Sequence, residues 1–168
     1  LTAHRLVDFP ALPGRQNHLR AAVLVPVLWR DGPMVVATVR SSRLRQHAGE
    51  VCFPGGRSEE GDADMFATAC REAREEVGIE GARLLGPLSS FPLYTSDYRL
   101  VPYVAEVPDV PPDANPGEVS EVLTISMRDV LALPKIDGVP WEQDGEVLLS
   151  PAFTFGPHVM YGGTAHVF

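Results

Sequence analysis

The octapeptide REAREEVG at residues 71–78 carries three glutamates at a spacing that could bring their carboxylates together. On an α-helix, Glu72, Glu75 and Glu76 stand at positions i, i+3 and i+4 and share one arc of the surface. Like charges at this spacing repel by only about 0.2–0.5 kcal/mol per pair, so an ordinary solvated helix tolerates them. The spacing alone therefore leaves two interpretations open, a solvated helix face and a cation site.

The segment FPGG at residues 53–56 precedes this helix and favours the cation site. Gly55 and Gly56 let the backbone approach a ligand closely and offer it amide or carbonyl groups. Oxygen ligands from convergent carboxylates suit Mg²⁺ or Mn²⁺ better than zinc. A site charged in this way favours a substrate whose phosphate groups supply the remaining ligands. The sequence therefore predicts a magnesium or manganese cofactor and a small phosphate-containing substrate.

The elements that must position these residues indicate a mixed α/β protein. Two β-branched runs at 21–29 and 34–40 are joined by RDGP, which predicts a hairpin. Residues 63–77 are predicted to form a helix, because apolar residues recur along one stripe. That stripe consists of Phe66, Cys70, Ala73 and Val77. Further strands are expected at 50–53, 83–91, 100–107, 121–126 and 146–155, and a short helix at 127–133. Since strands outnumber helices and mix with them, the predicted class is α/β with a mixed β-sheet.

Length and charge restrict the class of partner. A chain of 168 residues has the size of one domain and can bury a substantial core. The net charge of −8 argues against nucleic acid as a main partner, because binding to a phosphate backbone needs a broad basic face. A small polyanion can still bind if metal ions and a local arginine cluster offset the overall charge. The expected partner is therefore a small molecule.

The two cysteines and the apolar runs indicate a compartment. Cys52 and Cys70 form neither a disulfide framework nor a metal-binding pair, and we interpret both as buried, inert thiols. No apolar run approaches the length of about 20 residues that a membrane span needs, so no membrane association is expected. The predicted location is cytoplasmic. Both termini fall within unfinished elements, so we expect the native protein to be longer; the sequence does not indicate an oligomeric state.

Residues 55–80, GGRSEEGDADMFATACREAREEVGIE, resemble the signature of the Nudix hydrolases, G-x5-E-x7-R-E-U-x-E-E-x-G-U, where U is aliphatic. The second half matches at Arg71, Glu72, Ala73, Glu75, Glu76, Gly78 and Ile79. The first half departs from the signature, because the gap counted from Gly56 ends on Asp62 and eight residues, not seven, separate Asp62 from Arg71. We interpret Asp62 as the N-cap of the helix. The resemblance implies a single α/β/α Nudix domain with a mixed β-sheet over residues 1–168.

The inserted residue points to a subfamily. Residues 39–56, VRSSRLRQHAGEVCFPGG, resemble the segment that precedes the signature in Nudix coenzyme A pyrophosphatases, roughly L-L-T-x-R-S-x-x-L-x-x-H-x-G-x-V-x-F-P-G-G. The matching residues are Arg40, Ser41, Leu44, His47, Gly49, Val51, Phe53, Pro54, Gly55 and Gly56. The resemblance implies metal-dependent hydrolysis of the diphosphate of coenzyme A to 4′-phosphopantetheine and adenosine 3′,5′-bisphosphate.

The resemblance also implies roles for the acidic residues. The implied metal ligands are Glu72, Glu75, Glu76 and a backbone carbonyl near Gly56. Arg71 is expected to orient a glutamate through a salt bridge. A fourth catalytic carboxylate is expected from a later loop, where Glu118 and Glu121 are equal candidates and the other is interpreted as loop solvation.

The implied substrate-binding residues lie upstream of the helix, and are Arg40, Ser41, Arg43, Arg45, His47, Gly55 and Gly56. Arg40 is favoured for the 3′-phosphate of coenzyme A, since it alone of the three arginines matches a fixed place in the subfamily motif. For each arginine, surface charge at a strand end is an equal alternative. His47 could instead be a structural loop histidine, and Ser41 could cap a turn. His158 and His166 are assigned no role.

Three other interpretations remain open. A broader nucleoside-diphosphate hydrolase, acting on ADP-ribose or a dinucleotide, would need the glutamate helix but not the upstream motif. A catalytically silent nucleotide-sensing Nudix module would be favoured by the loss of a signature glutamate, and none is lost here. A metal-binding surface without a substrate would leave the upstream motif unexplained.

Overall fold

The structure is a computed structural model that describes residues 6–94, 96–143 and 145–168. Residues 1–5, 95 and 144 belong to the expected domain 1–168 but lie outside the described residues. Within the described part, eight strands form one large sheet. They are β1 (Leu19–Arg30), β2 (Gly32–Arg40), β3 (Val51–Cys52), β4 (Gly55–Arg57), β5 (Arg83–Pro87), β6 (Phe91–Pro92), β7 (Tyr98–Glu106) and β8 (Val119–Ser126).

The sheet is mixed, as predicted. Its main path runs β3-β2-β1-β7-β5, while β8 pairs with β2, β6 with β7 and β4 with β1. Strand β1 is parallel to β7 and antiparallel to β2 and β4. The hairpin predicted at RDGP is present, since Arg30 pairs with Gly32 across Asp31. Gly32 has φ of 144°, a conformation that glycine adopts at low cost.

Alternating side chains of the sheet give it two apolar faces. On the first face, Val23, Val25 and Val35 belong to a buried cluster completed by Phe53, Phe153 and Met160, among others. On the second face, strand residues pack under the signature helix α1 (Met65–Val77). This second cluster contains Ala22, Leu24, Leu28, Val36, Ala69, Ala73, Ala105 and Val107. The arrangement is the α/β/α sandwich expected from the sequence, and α1 lies on one side of it.

A second, three-stranded sheet follows at the C-terminal end, ordered β11-β10-β9. Its strands are β9 (Asp137–Gln143), β10 (Glu146–Phe155) and β11 (His158–Met160). In the chain, the short helix α2 (Met127–Leu131) precedes this sheet and the short helix α3 (Gly162–Val167) follows it. Only β10 and α2 were predicted. Strand β9 was missed because Gly138 and Pro140 disfavour a strand by composition. It forms because β10 offers it a partner along its whole length.

Helix α1 begins at Met65, two residues later than predicted, and its cap differs from the one expected. Asp64 is the N-cap, because its Oδ1 accepts a hydrogen bond from the backbone N–H of Ala67 at 2.8 Å. The interpretation of Asp62 as the N-cap is therefore wrong. Gly78 ends the helix in the left-handed conformation, with φ of 67°. Among the described residues, no helix is long and apolar enough to cross a membrane.

Leu24 tests the packing of α1 on the sheet, because it is fully buried in the second cluster. Leu24→Ala should lower the free energy of unfolding by about 2–5 kcal/mol, the usual cost of an unfilled core cavity. Urea unfolding monitored by circular dichroism measures this change. The matched control is Leu131→Ala on α2, where the leucine is 82% exposed and the loss should stay within about 0.5 kcal/mol. Equal losses in both variants would contradict the described core.

Candidate active site

The floor of the site is formed by two glycines that lie where β1 and β2 separate. Past this point β4 replaces β2 beside β1, so that Gly55 pairs with Val23 and Gly56 with Ala22. A Cβ on Gly55 would lie 2.3 Å from the carbonyl oxygen of Ala22, and one on Gly56 would lie 2.3 Å from Oε1 of Glu72. At Gly55 a side chain would collide with the backbone of β1, so glycine is required there, whereas at Gly56 a side chain would displace the carboxylate of Glu72.

Arg71 contacts acidic side chains on the less buried side of the site. Its Nε and NH2 groups hold Asp62, at 3.1 Å from Oδ1 and 3.2 Å from Oδ2, and NH2 also donates to the carbonyl of Arg57 at 2.9 Å. Its NH1 group lies 3.1 Å from Oε1 of Glu72 and 3.1 Å from Oε2 of Glu75. The hydrogen bonds from Arg71 lower the pKa of Asp62 to about 2. Arg71 therefore orients Glu72 and Glu75 while Asp62 fixes Arg71 in place.

Glu76 is the buried carboxylate of the site, with a relative exposure of 5%. Burial, followed by repulsion from Glu72 and Glu118, raises its pKa to about 8, although Arg40 and a hydrogen bond from the backbone of Gly55 act in the opposite direction. Burial also raises the pKa of Glu72, which Arg71 partly offsets. Protein groups therefore compensate the negative charge at Glu72 and Glu76 only in part.

The two later glutamates have different surroundings. The carboxylate of Glu118 is close enough to Glu72 and Glu76 to raise the pKa of both. The carboxylate of Glu121 accepts a hydrogen bond from Nε2 of His158 at 2.8 Å. Glu118 is therefore the better candidate for a fourth carboxylate. Sequence analysis assigned His158 no role, because its partner lies 37 residues away in the chain and on another strand.

Arg40 lies at the end of β2, close enough to Glu76 to act on its carboxylate. It is half-buried, and its positive charge lowers the pKa of Glu76 and opposes the rise in the pKa of Cys52. Within the described structure, Arg40 Nε is a buried polar atom without a hydrogen-bond partner. Since an unsatisfied buried donor costs roughly 1–3 kcal/mol, this atom is suited to an acceptor that the protein does not supply.

The other upstream residues form a turn beyond Arg40. Ser41 is buried, and its Oγ accepts a hydrogen bond from the backbone N–H of Arg43 at 3.4 Å, the geometry of a turn cap. His47 adopts a positive φ of 57°, and its Nδ1 lies 3.0 Å from Oε2 of Glu50. Arg43 and Arg45 are exposed, and neither forms an ion pair with the described residues. Both side chains project from this turn with their charge uncompensated.

An apolar cleft of about 30 Å³ lies elsewhere on the same face of the sheet, beside the C-terminal end of α1. It is lined mainly by Leu28, Val36, Val77, Ile79 and Val122. The cleft contains none of the carboxylates described above and is large enough for little more than water. The cleft is therefore separate from the Gly55–Gly56 floor and its carboxylates.

Comparison with known proteins identifies the family that this fold and site define. The NUDIX domain model matches residues 18–144, and the chain belongs to the Nudix family. An uncharacterized Nudix hydrolase NudL of Yersinia pestis (strain Pestoides F) is 38% identical over 132 residues, which cover 75% of this chain and 64% of that protein. The chain therefore matches less than two thirds of that relative's length.

Solved structures with the same fold have more distant sequences. A binary complex of a C. elegans Ap4A hydrolase has a TM-score of 0.54 at 16% identity, covering 68% of this chain and 84% of that one. The NUDIX domain of Shewanella oneidensis NrtR complexed with ADP-ribose has a TM-score of 0.53 at 21% identity, covering 69% and 77%. At these identities the similarity shows the Nudix fold alone.

Nudix hydrolases generally use divalent metal cations, and the residues of this site fit such an ion. In the described part of the chain, no three His, Cys, Asp or Glu side chains form a preformed metal cage. Mg²⁺ does not require one, because it commonly binds through one or two carboxylates, substrate phosphates and water. The partly compensated charge of Glu72 and Glu76, with Glu118 nearby, is the donor set that such an ion needs.

The pKa of Glu76 predicts an unusual dependence of stability on pH. Its folded-state value of about 8 lies above the ordinary value of 4.5, so the folded state binds the proton more tightly and loses stability as pH rises between these values. Glu76→Gln removes this loss. In metal-free buffer the variant should melt several degrees above the wild type near pH 8, and the gap should close towards pH 5. Calorimetry across this range measures the difference, with the exposed Glu146→Gln as control. A gap that is independent of pH would contradict the assignment.

Proposed function

We propose that this chain is a divalent-metal-dependent Nudix hydrolase that cleaves the diphosphate of coenzyme A to 4′-phosphopantetheine and adenosine 3′,5′-bisphosphate. One observation carries the proposal. The segment 39–56, which resembles coenzyme A pyrophosphatases, is the segment that brings Arg40, Gly55 and Gly56 against Glu72 and Glu76. The subfamily motif and the acidic site are thus parts of one structure.

Each residue of the site has a separate role in the proposed reaction. Glu72 and Glu76, with Glu118 opposite, would hold Mg²⁺ or Mn²⁺, and Arg71 keeps Glu72 oriented. When bound, such a cation supplies positive charge to the diphosphate oxygens and lowers the pKa of a bound water. Hydrolysis adds the water oxygen to one phosphorus and breaks the bridging P–O bond, and the nearby carboxylates are placed to accept the released proton.

The arginines are candidates for contacts with different phosphate groups of the substrate. Sequence analysis favours Arg40 for the 3′-phosphate, but its position beside Glu76 supports contact with the diphosphate instead. The free Nε of Arg40 is a donor suited to a phosphate oxygen. Arg43 and Arg45, exposed on the turn beyond Arg40, are then the better candidates for the 3′-phosphate.

The proposal extends to the whole chain and its location. We propose that residues 1–168 act as one Nudix domain, which is supported by the packing of Phe153, Met160 and Ala165 into the same cluster as Val23 and Val25. A cytoplasmic location is supported by two free cysteines, Cys52 and Cys70, since reducing compartments keep thiols unpaired.

A broader Nudix hydrolase is the second candidate, and it is favoured by the exposure of Arg43 and Arg45. No described group fixes these side chains for one ligand, and such a turn can accept several nucleotides. A nucleotide-sensing module without turnover is the third candidate.

Removal of the metal and of single carboxylates tests the hydrolase. EDTA should abolish turnover without changing the circular dichroism spectrum. Glu72→Gln and Glu76→Gln should each lower kcat by about 100-fold, or about 2.7 kcal/mol of transition-state stabilisation. Glu146→Gln on the exposed end of β10 is the control and should retain wild-type kcat. Full activity in excess EDTA, or variants within about threefold of wild type, would show that these glutamates do not take part in hydrolysis.

Substrate choice is tested by measuring kcat/KM for coenzyme A, 3′-dephospho-coenzyme A, ADP-ribose and NADH. Coenzyme A should give the highest value. Arg43→Ala or Arg45→Ala should lower kcat/KM for coenzyme A by about 10- to 150-fold, the range of a charge-assisted contact, and spare the dephospho compound. Arg40→Ala should lower both equally.

Other outcomes of this comparison select the other candidates. Faster turnover of ADP-ribose than of coenzyme A would select the broader hydrolase. Tight ADP-ribose binding in calorimetry, with no product formed from any compound, would select the sensing module. Loss of coenzyme A specificity in Arg40→Ala alone would return the 3′-phosphate contact to Arg40.

A further inference from the structure

Asn115 is the residue through which the loop before β8 is attached to the signature helix. Its backbone N–H donates to the carbonyl of Glu76 at 2.9 Å, and that of Asp113 donates to the carbonyl of Val77 at 3.1 Å. These two bonds satisfy carbonyls that the end of α1 would otherwise leave unpaired. The loop is therefore attached to the helix at the same residue that supplies the buried carboxylate.

The rest of Asn115 organises the turn that follows. Its carbonyl accepts hydrogen bonds from the backbone N–H groups of Glu118 at 3.0 Å and Val119 at 2.8 Å. Its side-chain Oδ1 accepts from the backbone N–H of Gly117 at 3.0 Å. Its Nδ2 donates to Oε1 of Glu118 at 3.2 Å. Because Oδ1 faces a donor, the amide can point only Nδ2 at the carboxylate.

The contact from Nδ2 matters because the side chain of Glu118 is otherwise free to move. The backbone of Glu118 is held from both sides, since Ser41 N–H donates to its carbonyl at 2.7 Å. Its side chain is exposed, and a glutamate in solvent samples many rotamers. Among the described hydrogen bonds, the one from Asn115 is the only one that reaches this carboxylate.

We propose that Asn115 is a positioning residue that holds the carboxylate of Glu118 towards Glu72 and Glu76, as the fourth carboxylate of the site. This inference rests on the proposed hydrolase function. One residue then ties both ends of the acidic cluster together, because its backbone bonds to Glu76 and its side chain bonds to Glu118. The loop sets the distance between the two carboxylates.

Two substitutions separate this role from support of the loop. Asn115→Asp keeps the shape, the backbone bonds and the acceptor for Gly117, but replaces the donor with an oxygen that repels Glu118. Asn115→Ser adds no charge and can still accept from Gly117, but it is too short to reach Glu118. Both variants should fold, and their melting temperatures should match that of Val110→Asp, an exposed control on the same loop.

Kinetics and metal binding distinguish a positioning role of Asn115 from an effect of the added charge alone. Asn115→Asp and Asn115→Ser should lower kcat by about 10- to 100-fold, the usual effect of losing a partner that orients a ligand, with KM little changed. Calorimetric titration with Mn²⁺ should show weaker binding in both variants. An added negative charge alone would instead tighten Mn²⁺ binding in Asn115→Asp, while Val110→Asp should bind Mn²⁺ like the wild type.

A double-mutant cycle with Glu118→Gln completes the experiment. If Asn115 acts through Glu118, Asn115→Asp should cause no further loss in that background, since an amide at 118 can donate to the new carboxylate. Equal losses in both backgrounds, unchanged kcat and Mn²⁺ affinity, or tighter Mn²⁺ binding would each overturn the inference. If the wild type hydrolyses no diphosphate, the proposed function fails, and the Mn²⁺ titrations still decide the role of Asn115.

Discussion

The arrangement of this protein depends on one electrostatic problem, the confinement of Glu72 and Glu76 between a helix and a sheet. Burial withdraws both carboxylates from solvent, and the neighbouring arginines offset their charge only in part, so the pKa of both residues is raised. Neighbouring groups each limit the cost in a different way. The backbone N–H of Gly55 donates to Glu76, and Arg71 pairs with the carboxylate of Glu72. The positive charge of Arg40 lies close enough to Glu76 to lower its pKa. A bound cation would neutralise the negative charge that these groups leave uncompensated.

The topology of the sheet makes this confinement possible. Strands β1 and β2 begin as a close hairpin and then separate, so the chain can return as β3 and β4 and place two glycines in the gap. Helix α1 crosses directly above this gap and is held by Ala69 and Ala73, whose small side chains allow close packing. The opposite face of the sheet carries the larger aromatic core and the C-terminal strands. The acidic residues of α1 thus lie on the face with the smaller apolar cluster, opposite the larger one.

Much of the fold and part of the site follow from the sequence, because they rest on local patterns. Periodicity predicted α1, β1 and β2, and the signature located the glutamates. What the sequence did not reveal depends on contacts between distant segments. Asp62 was assigned to the helix cap, but its carboxylate binds Arg71 and Asp64 caps the helix. His158 meets Glu121, and Asn115 meets Glu76, only after the chain has folded. Strand β4, made of two glycines and an arginine, has no propensity that would predict it.

The glycine floor also governs how this scaffold can diversify. A side chain at Gly55 would meet the β1 backbone at 2.3 Å, and one at Gly56 would meet the Glu72 carboxylate at 2.3 Å, so a substitution there shifts either the strand or the carboxylate. The turn at 41–47 and the loop at 108–118 meet where the Ser41 N–H donates to the carbonyl of Glu118, and both segments carry mostly exposed residues. Mutations at their exposed positions should cost little folding free energy, whereas Ser41, Asp113 and Asn115 are held by hydrogen bonds. The scaffold therefore leaves room for new ligand contacts at the exposed positions of these two segments, while the glycine floor is sterically constrained.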